Sequence, residues 1–362
     1  MADDRAPGSP AAVAHHSPPA APDERGREFG AARTDAINCT LAFYRRLFAA
    51  TRGLDAAQVA TCGARVRARV ERDWPQLAAE ILAIAAGGGA DPDHLFAANA
   101  RTEILAGQLR GECSTIASVG SARPVLMQNW DWHPDVAAAR VIWVVDQPGG
   151  GWFATMTEAG LLAKIGLNSR GLAVCLNLLA TSADGGLDVL PLHLALRLIL
   201  ESCSSRDDVR NLLANAPFGA SSCITVMDAE GDVAMFECHP GGPPFEPELG
   251  NGWASHTNHF LSSLPNGLTD TLRPNWPDTE MRLATVQTAL RRPAGENDVA
   301  NTLRNHDDLP ISVCCHHESH PGWVERQATL ASIRMWPRDR ELQVAWGQPC
   351  ACAYERIPLP PW

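Results

Sequence analysis

Residues 109–132 read LRGECSTIASVGSARPVLMQNWDW, and the character of the chain changes within this stretch. Before it, from about residue 35 to residue 107, apolar residues recur every three or four positions, which predicts a series of helices separated by glycines. After Gly111, short runs of β-branched and aromatic residues alternate with turn residues, which predicts strands. Cys113 therefore begins the first strand of a β-rich region, directly after a helical lead.

The β-rich region combines strands with pairs of helices. The segment VIWVVDQPGGGWFATMT predicts a hairpin that turns near residues 147–151, and a second hairpin is predicted around residues 168–171. Further helices are predicted in PLHLALRLILES and DVRNLLANA, and again near residues 279–291 and 297–304. These patterns favour a layered α+β domain, in which sheets pack on each other and helices cover them.

Composition narrows the class of protein. The 362 residues, 45% of them hydrophobic and 20% charged, can bury one large core or two modest ones. The net charge of −11 gives no broad positive field, which argues against nucleic-acid and anionic-membrane partners. The longest apolar run, near residues 190–200, is interrupted by His193 and Arg197 and is too short to span a bilayer. A soluble protein is predicted.

The N-terminal segment, residues 1–34, is rich in Pro, Ala and Gly, so it is predicted to be a disordered tail. It carries acids where a secretory signal would carry bases. The eleven cysteines are scattered and odd in number, which favours reduced thiols and a cytoplasmic location. Residues 35–112 are expected to form a helical segment that makes one folded unit with residues 113–362.

Common catalytic motifs are absent from the sequence. There is no GxSxG, because FGASSC lacks the closing glycine, and no GxxxxGKS/T, GxGxxG or HExxH. The remaining anomaly is Cys113, at the start of the β-rich region. A buried cysteine is more often inert than catalytic, so its position alone proves nothing.

A cut before Cys113 would give this residue two catalytic functions. Cleavage of the Glu112–Cys113 bond creates an α-amine with a pKa of about 7.7–8.0, which can act as a base for the thiol of the same residue. The cut can be self-catalysed, since the thiol can attack the preceding carbonyl and water can release the resulting thioester. Thr115, two residues further along the strand, lies on the same face and could assist.

Five segments carry a resemblance to a known family: ECSTIAS, MQNWDW, HTNHF near residue 256, TLAS near residue 329 and WGQPC near residue 346. Over about residues 36–356 the chain resembles the acyl-coenzyme A:6-aminopenicillanic acid acyltransferase family, the C45 group of N-terminal-nucleophile hydrolases. The resemblance implies a four-layer αββα sandwich and a precursor that cuts itself before the cysteine. It also implies two chains that stay associated and an activity that hydrolyses amides or transfers acyl groups.

The resemblance assigns functions to individual residues. Cys113 matches the nucleophile, and Asp131, 18 residues later, matches an aspartate that orients or polarises the cysteine's amine. Asn258 matches an oxyanion-hole asparagine, and Thr115 a hydroxyl residue implicated in processing. Two positions depart from the family pattern: Glu112 precedes the nucleophile where glycine is frequent, and Cys315 stands where an arginine is expected.

Other residues are candidates for substrate binding or for metal coordination. Trp130, Trp132, His133 and Ser222 are candidate substrate-binding residues. The cluster Cys314, Cys315, His316, His317 and His320 contains zinc-ligand types, but adjacent residues on a strand point to opposite faces and there is no second CxxC pair. No metal and no cofactor are therefore expected. The Cys350-Ala-Cys352 pair is interpreted as packing rather than as a redox couple.

The sequence thus predicts a self-processing cysteine enzyme that acts on a small-molecule amide or acyl substrate, with hydrolysis ahead of acyl transfer. A homo-oligomer is possible. Two alternatives of other classes stay open: an uncut binding protein of the same fold, and a zinc-dependent hydrolase that uses residues 314–320.

Overall fold

The computed structural model describes residues 14–108, 112–119, 123–291 and 296–362, without the side chains of Glu112 and residues 296–298. Its strands are, in chain order, β1 (Ala14–Ser17), β2 (Glu112–Ser118), β3 (Val125–Trp132), β4 (Arg140–Asp146), β5 (Trp152–Glu158), β6 (Ile165–Asn168), β7 (Ala173–Leu178), β8 (Ser222–Met227), β9 (Val233–Cys238), β10 (Trp253–His256), β11 (His316–His317), β12 (Gln327–Trp336), β13 (Glu341–Ala345) and β14 (Glu355–Arg356).

The helices fall into two groups, one before β2 and one within the β-rich region. In chain order they are α1 (Pro22–Ala32), α2 (Thr34–Arg52), α3 (Ala56–Asp73), α4 (Pro75–Gly88), α5 (Pro92–Asn99), α6 (Arg101–Leu105), α7 (Leu192–Ser202), α8 (Arg206–Ala214), α9 (Asp278–Leu290) and α10 (Glu296–Thr302). No helix among the described residues combines the length and the hydrophobicity needed to cross a membrane.

The strands form two seven-stranded sheets. The first sheet has the order β1-β4-β5-β6-β7-β8-β9, and all of its pairs are antiparallel except β1 with β4. The second has the order β10-β2-β3-β12-β13-β14, with β11 paired to β12. Both predicted hairpins are confirmed: Gln147 and Gly151 close the β4–β5 turn, and Asn168 and Gly171 close the turn between β6 and β7.

The two sheets pack face to face. One apolar core contains Ala117 and Leu126 from the second sheet together with Ile142 and Met156 from the first. Alternate residues such as Trp143 point to the other face of the first sheet, because successive side chains of a strand face opposite ways. This alternation gives each sheet one face toward the other sheet and one toward helices.

Helices cover both outer faces. Helices α1, α3, α4, α5, α7 and α8 pack on the first sheet, where Leu95 and Leu196 join Trp143. On the second sheet, Val286 of α9 packs with Met127 of β3. The predicted four-layer αββα sandwich is confirmed.

The N-terminal segment corrects one expectation. Residues 14–34 are ordered: β1 extends the first sheet, and Phe29 of α1 is fully buried and stacks on Trp143 at 4.1 Å between ring centroids. Gly30 lets α1 approach α4 closely, since a Cβ there would lie 2.3 Å from the carbonyl oxygen of Ile84. The small residues serve close helix packing, so the prediction of a disordered tail is wrong for residues 14–34. Residues 1–13 lie outside the described residues.

A buried ion cluster fixes α1 to the helical layer. Arg25 of α1 donates two hydrogen bonds of 2.8 Å to the carboxylate of Glu80 on α4. Arg197 of α7 donates to the same carboxylate at 2.6 Å. All three side chains are at most 5% exposed, so the three helices share one internal charge cluster.

Candidate active site

Cys113 lies on β2, between β10 and β3 in the second sheet, and faces the first sheet. It is 6% exposed and belongs to the core between the sheets. In the β2–β3 pairing, Cys113 is opposite Trp130 and Glu112 is opposite Asp131. Asp131 is therefore beside the Glu112–Cys113 peptide bond, where the sequence predicts the cut. Residues 109–111, which precede that bond, lie outside the described residues.

The backbone of Cys113 is held by three side chains from different elements. Its N–H donates to Oδ1 of Asn258 at 2.9 Å. Its carbonyl oxygen accepts from Nδ2 of Asn177 at 3.0 Å and from Nη1 of Arg282 at 3.1 Å. Nη2 of Arg282 also donates to Oδ1 of Asn258 at 3.1 Å, which joins two of the three groups.

The fold brings these groups together from distant parts of the chain. Asn258 follows β10, and β10 pairs with β2 so that His256 lies opposite Thr115. Asn177, on β7 of the first sheet, reaches across the space between the sheets. Arg282 comes from α9, which covers the second sheet.

Thr115 supports this arrangement indirectly. Its hydroxyl donates to Oδ1 of Asn177 at 2.7 Å and accepts from Nε2 of Gln128 at 2.8 Å. Thr115 thus orients Asn177, which in turn holds the Cys113 carbonyl. Asn258 is fixed in a similar way, because its own N–H donates to the hydroxyl of Thr279 at 2.7 Å.

Asp131 alternates with Trp130 and Trp132 along β3, so its carboxylate lies on the opposite side of the strand from these two rings. Oδ1 of Asp131 accepts a hydrogen bond of 2.5 Å from Thr329 on β12. The Thr329 hydroxyl in turn accepts from the backbone N–H of Cys315 at 2.9 Å. The position where an arginine was expected thus contributes its backbone to the setting of Asp131.

The thiol of Cys113 is protonated in the uncut chain. Burial raises its pKa to about 12, and the nearby charge of Asp131 acts in the same direction. A thiol in this state is a poor nucleophile, because the thiolate is the reactive form. The site therefore needs a base close to the sulfur.

A cavity of about 40 Å³ lies beside Cys113. Trp130 and Trp132 line it, together with leucines from several elements: Leu105, Leu176, Leu178, Leu179 and Leu272. Arg101 and Lys164 are the basic residues of its lining. The walls are thus mostly apolar, with a charged region at one place.

That charged region centres on Lys164, which the sequence analysis missed. Its Nζ lies 2.7 Å from Oε2 of Glu158 and 3.6 Å from the centroid of the Trp130 ring. Glu158 also accepts from the Tyr44 hydroxyl at 2.5 Å and lies 3.4 Å from Arg101. A signal was available: Lys164 is the only lysine among the 30 basic residues of the chain.

Lys164 should make stability depend on pH. Burial lowers its pKa from 10.5 to about 7, although Glu158 acts in the opposite direction. Between pH 7 and 10.5 the unfolded chain therefore binds a proton that the folded chain has lost, so the free energy of unfolding rises with pH by up to about 1.4 kcal/mol per unit. We expect this rise to be smaller in Lys164→Met, measured by urea unfolding at about pH 7 and about pH 9.5.

The comparison between wild type and Lys164→Met isolates this lysine. Glu103, whose pKa burial raises to about 7, contributes to the pH dependence of both proteins and cancels in the difference. Parallel stability profiles for the two proteins would contradict the expectation.

Two predicted binding residues lie elsewhere. His133 caps a short 3₁₀ helix, where its Nδ1 accepts a hydrogen bond of 3.1 Å from the N–H of Asp135. Its Nε2 donates to the carbonyl oxygen of Trp323 at 2.9 Å. Ser222 shares a face of β8 with Ile224, which packs on the outer helices. Neither residue lines the cavity beside Cys113. The sequence indicated their positions along the chain but not the direction in which their side chains point.

Asn177 and Arg282 were missed for a different reason. Neither lies in a motif, and each reaches Cys113 from more than sixty residues away along the chain. The resemblance predicted an arginine at position 315. The guanidinium beside the nucleophile comes instead from Arg282 on α9.

Comparison with known proteins adds to this geometry. The family model described as acyl-coenzyme A:6-aminopenicillanic acid acyl-transferase matches residues 119–351, well over half of the chain. This chain belongs to that family.

One curated relative bears the same name as this acyltransferase family. The 40 kDa form of the acyl-coenzyme A:6-aminopenicillanic-acid acyltransferase of Emericella nidulans is 28% identical over 286 residues, which is 77% of each chain. Among solved structures, a Caenorhabditis elegans orthologue of N-acylethanolamine-hydrolyzing acid amidase matches with a TM-score of 0.46 and 13% identity, over 68% of this chain and 100% of that one. Penicillin V acylase from Agrobacterium tumefaciens matches with a TM-score of 0.40 and 13% identity, over 68% and 85% of the two chains.

Proposed function

We propose that this protein is a self-processing cysteine enzyme of the N-terminal-nucleophile type, which hydrolyses an N-acyl amide through a thioester acyl-enzyme. The observation that carries the proposal is the setting of Cys113. Its N–H and its carbonyl are each held by fixed side chains, and Cys113 lines a mostly apolar cavity. Membership of an acyltransferase family supports the same chemistry.

Activation would proceed by an acyl shift. The Cys113 thiol attacks the carbonyl carbon of Glu112, the C–N bond breaks, and the nitrogen of Cys113 takes the thiol proton. The resulting thioester is hydrolysed by water, which leaves a carboxylate on Glu112, a free thiol and a free α-amine on Cys113. Asp131, paired with Glu112 across the two strands, is the charged group beside this bond.

Turnover would then use the new amine as the base. The amine takes the thiol proton, the thiolate attacks the substrate carbonyl, and the leaving amine departs with a proton. Water attacks the thioester and releases the acid. Oδ1 of Asn258, which accepts from the Cys113 N–H in the uncut chain, is placed to hold the amine, and Asp131 would stabilise its charged form.

A donor near Cys113 is available for the oxyanion of the tetrahedral intermediate. In this proposal the amide Nδ2 of Asn258 donates to the oxyanion with one N–H, while its other N–H bonds the carbonyl oxygen of Leu178 at 2.9 Å. This keeps the predicted function of Asn258. A single well-aimed donor of this kind is worth about 3–4 kcal/mol in the transition state.

The cavity walls bear on the substrate. Leucine and tryptophan side chains favour an apolar acyl group, since they offer few hydrogen-bond partners. We propose a small-molecule amide with an apolar acyl part, bound with its carbonyl next to Cys113.

Acyl transfer is the second candidate, and the names of the family and of the curated relative favour it. Both reactions share the acyl-enzyme and differ only in whether water or an amine attacks it. Product analysis separates them: in the presence of a competing primary amine, a transferase forms the new amide and a hydrolase forms mainly the acid.

The proposal also covers assembly and location. After the cut the two chains would stay associated, because α1 to α5 and β1 are part of the same layers as the β-rich region. We propose a cytoplasmic enzyme, consistent with eleven cysteines that all lie within the described residues and form no disulfide.

The test is the state of the purified wild-type chain. Cleavage predicts two fragments of about 12 and 27 kDa by intact mass, in proportion to their residue numbers. Labelling of primary amines in the denatured protein gives a second readout. The uncut chain offers the amine of its N-terminus and that of Lys164, its only lysine, and the cut adds the α-amine of Cys113. A chain that stays whole after long incubation would overturn the proposal and favour the binding-protein alternative.

A further inference from the structure

Four side chains with metal-ligating atoms meet at a place separate from the cavity beside Cys113. They are His306, Cys314, His316 and Cys350, and one ligand atom from each lies within 4.8 Å of all the others. None of the four lines that cavity. Cys315, His317 and His320, which the sequence analysis weighed as ligands, are not members of this Cys₂His₂ cluster.

The distances match a tetrahedral zinc site. Zinc binds thiolate sulfur at about 2.3 Å and imidazole nitrogen at about 2.0–2.1 Å, so a tetrahedron has S···S edges of about 3.8 Å and S···N edges of about 3.5 Å. The two sulfurs, of Cys314 and Cys350, are 3.7 Å apart. Nε2 of His316 lies 3.5 Å from the first sulfur and 3.4 Å from the second.

His306 supplies the fourth position. Its ring lies 5.0 Å from the ring of His316, at 75° between the planes. Its Nε2 is buried and has no hydrogen-bond partner among the described residues. A buried imidazole nitrogen without a partner is costly, and a metal ion would satisfy it.

The local backbone explains why these residues converge. Cys314 and His316 are two residues apart, and their ligand atoms lie 3.5 Å from each other. The loop before them closes on itself, with the N–H of Cys314 donating to the carbonyl of Asn305 at 3.0 Å. Arg304 donates to the carbonyl of Pro349 at 2.9 Å and so places the turn that carries Cys350 beside the loop.

We propose that this Cys₂His₂ cluster binds one zinc ion, with release of the two thiol protons on binding. Four protein ligands leave no open position, so the ion is structural and not a catalytic Lewis acid. It joins the loop of residues 305–316 to the turn at Cys350. The same loop donates from Cys315 to Thr329, the partner of Asp131, so the ion stabilises the setting of the active-site aspartate.

The test uses the full purified chain. Elemental analysis after expression in zinc-supplemented medium should give about one zinc per chain. Replacement of zinc by Co²⁺ should give the intense visible bands of a tetrahedral site, together with a thiolate charge-transfer band. Cys350→Ala should lose the bound zinc and the cobalt bands, because it removes one of the four ligands. The variant should still fold, because Cys350 is exposed. The matched control is Cys352→Ala, which lies two residues away and should keep the zinc and the cobalt bands.

Stability provides a readout independent of activity. A strong chelator should lower the thermal midpoint of wild type and leave that of Cys350→Ala unchanged, because metal binding stabilises only the chain that can bind it. Three results would overturn the proposal: fully reduced wild type without zinc or cobalt binding, zinc retained in Cys350→Ala, or an intact mass showing a Cys314–Cys350 disulfide. Autocleavage is scored separately, so a failure here leaves the proposed function untouched.

Discussion

Cys113→Ala is expected to remain a single uncut chain without detectable amide hydrolysis. The substitution removes the nucleophile of both the acyl shift and turnover, and the loss of a catalytic nucleophile costs a factor of about 10⁴ to 10⁶ in rate. The fold should survive, since alanine fits the space of a small buried thiol. Intact mass measures the cleavage, and release of the amine from an N-acyl substrate measures the activity.

Cys175→Ala is the matched control. Cys175 is also fully buried in the core between the sheets, and burial likewise raises the pKa of its thiol. It should be cut and active like wild type, because the proposed chemistry depends on the position of Cys113 and not on the presence of a buried thiol. Cleavage of Cys113→Ala at the same bond would contradict the assignment of the nucleophile.

Glu80→Ala is expected to lower the free energy of unfolding by about 3–5 kcal/mol. Glu80 is the only carboxylate that contacts Arg25 in the described structure, and it also binds Arg197. Its removal leaves the Arg25 guanidinium without a carboxylate partner, and Arg197 keeps Glu201 as its carboxylate partner. Denaturant unfolding at neutral pH measures the loss, with Glu80→Ala and its parent both carrying Cys113→Ala so that the chain stays uncut.

The charge of Glu80 also gives a pH test. Burial disfavours its charged form, but the two arginines outweigh burial and lower its pKa. Its stabilising contribution is therefore present above the ordinary pKa of a glutamate and is lost as the pH falls through the lowered value. The free energies of unfolding of wild type and Glu80→Ala should converge in acid.

As a control, Glu71→Ala removes an exposed partner of Arg67 and should change the free energy of unfolding by less than about 0.5 kcal/mol. Equal losses in the two variants would contradict the argument.

The sequence predicted what depends on local pattern. Helical periodicity before residue 107 and strand patterns after it favoured a layered α+β domain, and the hairpin turns followed from their glycines. The four-layer arrangement was implied by the family resemblance. The resemblance also singled out Asp131 by its spacing from Cys113, and the antiparallel pairing of β2 with β3 places it opposite Glu112.

What the sequence did not show depends on contacts between distant segments. Gly30 reads as flexibility until α4 is known to pack against it. Arg282 and Asn177 look like ordinary residues of a helix and a strand, and only the stacking of layers brings them to Cys113. The spacing of residues 314–320 argued against a metal site. Two members of the proposed Cys₂His₂ cluster, His306 and Cys350, come from outside that run.

The path of the N-terminal segment has a consequence for how the protein can be made. Strand β1 and helices α1 to α6 precede the proposed cut, yet they complete the first sheet and its helical cover. The uncut precursor folds as one molecule, with both parts held at high effective concentration by the chain that joins them. Once cut, an unfolded enzyme would have to find its other half by diffusion, so refolding becomes a bimolecular and concentration-dependent event. The proposed cut would thus end the period in which folding errors can be corrected, after which the enzyme would persist because it unfolds slowly.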